Sequence, residues 1–298
     1  MDLSEYQRVK NSIVGFIQKY EPIWDKEKPL PPFPFIIGTG FIVREDGLIA
    51  TNSHVTKAFS KAFNPPKAPK DEWPVLAYLF KITSAGVLRI PLEILGFFGI
   101  SLFKSGEVYY GPKEGPDISF VQVRAKGLPL LTIDDKTQII EGMEVCTAGF
   151  PMGTDALTAP GYLHQISPTL QKGIVSCVLP FTCSAPHTYA INVMTQAGAS
   201  GSPVFLPDSG KVIGILYAGL NDFRQTVKQK DIYTVPTNIS YVVPSHYLRD
   251  ALTQIEKMEE LQLPKETRSL DEMVAEGKPI ISFSSEAKPE IRRIDEEP

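Results

Sequence analysis

Cysteine is scarce in this chain: Cys146, Cys177 and Cys183 are the only three in 298 residues. An odd set in a chain this long is not a disulfide framework, because a sequence of this size can bury enough surface to fold without staples. The N-terminal residues MDLSEYQRVK lack the positive-then-apolar order of a secretion signal. No apolar run reaches the roughly 20 residues of a membrane span; the richest, Ile94 to Phe103, falls short. Basic residues are not in excess: 30 Lys and Arg against 34 Asp and Glu leave a net charge of −4. They are also spread along the chain, which gives no electrostatic footprint for nucleic acid or anionic lipid. No solenoid-period repeat is present. These absences predict a cytoplasmic chain with no nucleic-acid partner and no membrane span.

What is present is a globular balance, 43% hydrophobic and 21% charged, enough for one large domain or two small ones. Leu3, Tyr6, Val9, Ile13, Phe16, Ile17 and Tyr20 recur at helical spacing, and Ser4 with Gln7 makes a capping box, predicting a helix over 3–20. A proline-rich linker follows, with Pro29, Pro31, Pro32 and Pro34. From Phe35 to Val243 short β-rich runs alternate with turn signals such as Asp46-Gly47, which predicts an all-β barrel or sandwich. Two barrels of similar size fit this stretch, with a boundary near 128–135. Ser245 is a good N-cap for a helix carrying Leu248, Leu252 and Ile255 and stopped by Pro264. A short helix over Leu270 to Glu276 is capped by Ser269 and Glu272 and ended by Gly277, and the charged segment from Glu286 onward is expected to be disordered. The domain plan is therefore 1–34, 35–263 and a C-terminal extension over 264–298.

Four segments matter, in this order: Ala50-Thr51-Asn52-Ser53-His54-Val55, Pro116-Asp117-Ile118-Ser119-Phe120-Val121, Gln196-Ala197-Gly198-Ala199-Ser200-Gly201-Ser202-Pro203, and Gly214-Ile215-Leu216-Tyr217-Ala218-Gly219, a strand expected to line a substrate cleft. A serine hydroxyl needs an imidazole to take its proton, and the imidazole needs a buried carboxylate on its other nitrogen. The oxyanion that develops needs backbone N–H donors, here those of Gly198 and Ser200 in a glycine-flanked turn. His54 is one of only four histidines, and its place after two strands and a turn, rather than its residue type, singles it out. Asp134 and Asp135, rivals to Asp117, sit in a polar stretch that reads as a solvated loop. Cys177, Cys183 and His187 lack the tight Cys-x-x-Cys pair and fourth ligand of a zinc site, so no metal and no cofactor is expected.

With these contexts, the chain resembles the trypsin-like, chymotrypsin-fold serine proteases, and among them the HtrA/Deg protease domain. Gly38-Thr39-Gly40-Phe41-Ile42-Val43 is similar to that branch's G-S-G-F-I strand, and Leu48 to Val55 to its histidine segment. Gly142-Met143-Glu144-Val145, Ala148 to Gly153, Lys172 to Ser176, Gly210 to Ile215 and Asn238 to Ser245 follow its later strands in family order. The resemblance covers about residues 35–250 and implies an all-β fold of two six-stranded barrels with helices at both ends. It also implies a serine endopeptidase acting on protein or peptide through an acyl-enzyme, with His54, Asp117 and Ser200 as triad. Met194, Thr195, Tyr217, Gly219 and Ile239 would fall near the primary specificity pocket. No acid stands among them, so a small-to-medium apolar residue is expected before the scissile bond rather than Arg or Lys.

The departures are specific. Ala199 and Ser202 replace residues of the usual G-N-S-G-G-P. Ile13-Val14-Gly15 resembles a trypsin-like mature N-terminus but lacks its acidic partner, and is read as helix. The interval from His54 to Asp117 is longer than in compact HtrA-type domains, implying an inserted hairpin or loop around 57–113. Too few residues follow for the PDZ domain usual in that branch. The alternative reading is a catalytically silent scaffold of the same fold, or a latent protease switched on by a partner; a homo-oligomer is compatible with either.

Overall fold

The computed structural model describes residues 3–18, 36–61, 75–99, 102, 108–109, 111, 115–151, 158–159, 163–164, 168–225, 232–257, 267–279, 281–283 and 289–291. The chain opens with helix α1 (Leu3–Asn11) and strand β1 (Ile13–Gln18). Strands β2 (Ile36–Arg44) and β3 (Leu48–Thr51) lead to helix α2 (Ser53–Lys61), followed by β4 (Val75–Thr83), β5 (Gly86–Leu92), β6 (Ile94–Phe98) and β7 (Ser119–Val123). The second half holds β8 (Glu144–Gly149), the short β9 (Thr158–Ala159) and β10 (Leu163–His164), and β11 (Thr169–Leu179). Then come β12 (Thr188–Ile191), β13 (Pro203–Phe205), β14 (Val212–Gln225) and β15 (Ile232–Pro244). Helices α3 (Ser245–Lys257) and α4 (Leu270–Glu276) and strands β16 (Ile281–Phe283) and β17 (Pro289–Ile291) close the chain.

The expected pair of barrels is found. Strands β11-β12-β15-β14-β13-β8 form a closed six-stranded barrel, while β17-β16-β5-β4-β1-β2-β3-β7-β6 form a nine-stranded sheet. Within that sheet β5 and β6 are one run interrupted only at Glu93, so the sheet curls until its two flanks meet along the chain itself. Three cores follow from this plan. One fills the first barrel around Phe16, Ile42, Ile49 and Phe59, and one fills the second around Val145, Tyr189 and Val204. The third lies between the barrels and takes Ile13, Phe41 and Phe120 from one side and Ile215, Tyr217 and Leu248 from the other.

Three expectations are corrected. The helix over 3–20 ends at Asn11, and Ile13-Val14-Gly15 belongs to a strand that pairs with β2 on one side and β4 on the other. Residues 12–17 are all buried, so both faces are apolar and the alternation that marks a strand is lost. The stretch around 57–113 is not only an insertion: β4, β5 and β6 are barrel strands, and Val108 and Tyr109 lie in irregular chain. The C-terminal segment is not wholly without structure, since β16 adds to the edge of β5 and β17 pairs with β16. An open sheet edge offers unpaired N–H and C=O groups, which these strands satisfy. The proline-rich linker lies outside the described residues.

Candidate active site

Strand register assembles half of the site. β3 runs antiparallel to β7 with Thr51 opposite Ser119, so extending the pair by two residues brings Ser53 beside Asp117. There the chain leaves β3 and starts α2, with the Asn52 carbonyl accepting from the Val55 and Thr56 N–H groups at 3.1 and 3.2 Å. Side chains then tie the helix start to the facing strand. Asn52 Nδ2 donates to the Asp117 carbonyl at 2.7 Å, and Ser53 Oγ to that of Ile118 at 2.6 Å. Thr56 Oγ1 donates to Ser119 Oγ at 3.0 Å, which donates onward to the Phe98 carbonyl at 2.9 Å.

Between these ties the Asp117 carboxylate meets His54 twice. Oδ1 accepts from the His54 backbone N–H at 3.2 Å, and Oδ2 lies 2.5 Å from the ring Nδ1. The Asp117 side chain is 2% exposed and that of His54 39%. A carboxylate held dry against Nδ1 keeps the proton on that nitrogen and leaves Nε2 as an acceptor toward the solvent-facing side.

The second barrel contributes the loop of Ser200. Gly198 and Gly201 have φ of 90° and 89°, which lets the chain turn sharply on either side of Ala199-Ser200. A Cβ on Gly201 would lie 1.9 Å from the Thr39 carbonyl oxygen, so no other residue fits there without movement. Thr39 is the hinge pin between the barrels. Its N–H donates to the Ser200 carbonyl at 2.9 Å, its Oγ1 to the Gly198 carbonyl at 2.7 Å, and its own carbonyl accepts from Thr51 Oγ1 at 2.7 Å. Beside it, a Cβ on Gly38 would lie 2.7 Å from a Val55 methyl and 3.4 Å from the Ser200 carbonyl. Ser200 is thereby seated across β2 from the residue that follows His54. Among the described residues no hydrogen bond joins Ser200 to His54, and neither the Gly198 nor the Ser200 N–H meets a backbone carbonyl.

The two departures in this loop have physical accounts. Ser202 is 2% exposed; its hydroxyl donates to the Ala199 carbonyl at 2.6 Å and lies over Gly149, where a Cβ would come within 1.9 Å of it. Ala199 is 4% exposed and packs into the core of the second barrel, a place for a methyl rather than an acid.

Thr195, Gly219 and the strand bearing Ile239 come together. Thr195 Oγ1 and Ser240 Oγ are 2.7 Å apart, Ser240 donates to the Val193 carbonyl at 2.6 Å, and a Cβ on Gly219 would lie 2.8 Å from Thr195 Oγ1. Ile239 is half-buried next to Ser240, and Met194 is 41% exposed on the outer side. Tyr217 is placed differently: 4% exposed, it lies in the core between the barrels, 3.3 Å from Thr188 Oγ1, and burial pushes its phenol up to about 12. Cys146, Cys177 and Cys183 are all free, and among the described residues no group of three His, Cys, Asp or Glu side chains is gathered as a metal would need. Sequence reasoning missed Thr39, Asn52 and Ser53 as holders of the site. The one available signal was that small hydroxyl and amide residues flank His54 where apolar ones would serve a plain strand.

The family model described as Trypsin-like peptidase domain matches residues 38–215. A probable periplasmic serine endoprotease DegP-like from Halomonas elongata is 27% identical over 179 residues, covering 60% of this chain and 28% of that protein. A protein of the same description from Pseudomonas putida is 26% identical over 182 residues, with the same coverage of each chain. The chain thus spans under a third of the length of the curated relatives it matches. A solved variant of the HtrA-type protease AlgW with decapeptide shares the fold at a TM-score of 0.50 and 14% identity, covering 86% of this chain and 67% of that one. The relatives are named periplasmic, which overturns the cytoplasmic location expected from the cysteine count and the N-terminal residues. Three cysteines that need no partner to fold are compatible with either compartment.

Proposed function

The chain belongs to the family of trypsin-like peptidase domains, and on that footing we propose that it is a serine endopeptidase with His54, Asp117 and Ser200 as its triad. The observation that supports this most is the 2.5 Å contact between His54 Nδ1 and the buried Asp117 carboxylate, with the Ser200 loop of the other barrel bonded to Thr39 beside it. Ser200 Oγ attacks the peptide carbonyl as its proton passes to His54 Nε2, and Asp117 remains ionised and stabilises the imidazolium. The Gly198 and Ser200 amides receive the oxyanion. His54 then protonates the leaving amine, and a water admitted to the same base hydrolyses the acyl-enzyme, returning the proton to Ser200.

Protein or peptide is the proposed substrate, and the periplasm, named for the relatives, is the proposed place of action. The approach of Thr195 Oγ1 to Gly219 and its tie to Ser240 narrow this region, which supports a small-to-medium apolar residue before the scissile bond, and none of Met194, Thr195, Tyr217, Gly219 and Ile239 offers a carboxylate to a cationic one. A second reading is a latent protease in which a partner or the substrate draws Ser200 and His54 together.

A fluorophosphonate probe tests both readings. Labelling of the chain alone, abolished in Ser200→Ala, is the result expected of a constitutive enzyme. Labelling that appears only with added peptide or partner supports the latent form, and no labelling under any condition counts against the protease.

A further inference from the structure

Tyr109 lies eight positions before Asp117 in the sequence, on the connection that leads from β6 to the site. That connection follows a first-barrel strand, yet the tyrosine is gripped by the second barrel. Its ring is parallel to the imidazole of His187, with centroids 5.6 Å apart and planes 8° apart. Its edge faces Tyr247 at 6.2 Å and 74°. Both contacts lie within the range in which aromatic pairs attract beyond their buried area.

Neither partner is loose. His187 sits at the head of β12, where its N–H donates to the Leu179 carbonyl across the β11–β12 hairpin at 2.9 Å. Tyr247 is 8% exposed on the first turn of α3. On its own chain the ring is covered by Gly111, where a Cβ would lie 2.3 Å from Tyr109 Cε1. A side chain at 111 would press on the ring, so Gly111 lets the backbone lie this close over it. Tyr109 also packs against the core between the barrels, which includes Ile118 and Tyr217.

We propose that Tyr109 is a positioning residue for Asp117: its ring, clamped by His187 and Tyr247 and packed against the core that includes Ile118, steadies the Asp117–Ile118 stretch and with it the carboxylate under His54, a role that rests on the triad proposed above. Burial raises the Tyr109 phenol well above its ordinary value, with Tyr217, Tyr247 and Asp117 adding to the rise, so the hydroxyl stays neutral in the same dry region as the carboxylate. The clamp crosses from one barrel to the other. It therefore makes the His54–Asp117 geometry depend on how the two barrels are seated.

The test compares Tyr109→Ala, Tyr109→Phe and Gly111→Ala in the full chain. The readouts are the pH dependence of fluorophosphonate labelling at Ser200 and an NMR titration of the His54 imidazole, assigned by its loss in His54→Ala. A slack Asp117 stabilises the imidazolium less, so in Tyr109→Ala the His54 titration and the acid limb of labelling both move to lower pH. The maximal labelling rate falls roughly tenfold or more. Gly111→Ala, which displaces the ring without removing it, moves both readouts the same way. Tyr109→Phe, which keeps the clamped ring, retains the wild-type limb.

A purely structural tyrosine would lower the melting temperature and leave the titration in place, and that result overturns the proposal. A phenylalanine limb as displaced as that of alanine also overturns it, because the hydroxyl rather than the clamped ring would then be acting. If wild type is never labelled, the protease reading fails, and the NMR titration still decides whether Tyr109 sets the His54–Asp117 pair. If Tyr109→Ala does not fold, Gly111→Ala and His187→Ala carry the comparison, with the same direction of shift required.

Discussion

In the proposed triad Asp117 and His54 differ in exposure: the carboxylate is shut away from water and the imidazole keeps one edge toward it. Asparagine at 117 would keep the shape, but it can present an N–H to the imidazole and favour the wrong tautomer. Asp117→Asn should therefore lower kcat by roughly 10³–10⁴-fold with little change in KM, read from peptide hydrolysis or labelling kinetics. Gly201 is the other residue whose role is dictated by atoms within contact. Its positive φ and the 1.9 Å approach of the Thr39 carbonyl to a notional Cβ leave no relaxed place for alanine. Gly201→Ala should lose at least about 2 kcal/mol of unfolding free energy in urea titration, and labelling at Ser200 with it.

Elements position these residues through register and capping. The β3–β7 pairing and the α2 start together present His54 to Asp117, so a one-residue slip of β7 would turn the carboxylate to the opposite face. At the far end of the chain, α4 is a satellite of the first barrel. Leu270 is 5% exposed and shares the first-barrel core with Leu88 and Ile90, and the Leu270 N–H donates to the Lys126 carbonyl at 2.9 Å. Ser269 and Glu272 form a reciprocal capping box, with bonds of 3.2 and 2.7 Å. Leu270→Ala should cost about 2–4 kcal/mol. Ser269→Ala should cost about 1 kcal/mol. Denaturant titration measures both. Because α4 packs on the first-barrel core around Leu88 and Ile90, the labelling rate of the folded fraction should stay as in wild type in each variant.

For the whole molecule, the seating of one barrel on the other also governs how folding responds to acid. His246 opens α3 at the side of the inter-barrel core, its ring 4.1 Å from that of Tyr247. Burial pulls its imidazole below the ordinary value; Asp250 and Asp135 oppose this, and His187 adds to it. In the unfolded chain the group titrates near about 6.5, so below that pH the unfolded chain binds more protons than the folded one. Stability from keeping His246 neutral is full above that value and is lost as pH falls through the lowered folded-state pKa. The melting temperature should therefore drop between neutral and mildly acidic pH, and His246→Gln should blunt the drop. An unchanged slope in that variant would show that His246 is not the titrating group.

The sequence by itself determined the order of the segments that carry His54, Asp117 and Ser200, the β-rich character of both halves and the Ser269–Glu272 cap. Each is written in residues that act on their immediate neighbours: a turn glycine, an acid opening an apolar strand, a hydroxyl three positions before a glutamate. Only the tertiary structure decided that Ile13–Gln18 is a strand, because residues 12–17 are buried on both faces and carry no alternation to read. It alone placed β4 to β6 in a barrel, added β16 to the edge of β5, and made Thr39 the link between Ser200 and the first barrel. It likewise put Tyr109 between His187 and Tyr247. The physical reason is common to all of these: the partner that gives each residue its role lies far away in the chain, and no local pattern encodes a contact that exists only once the two barrels have closed on each other.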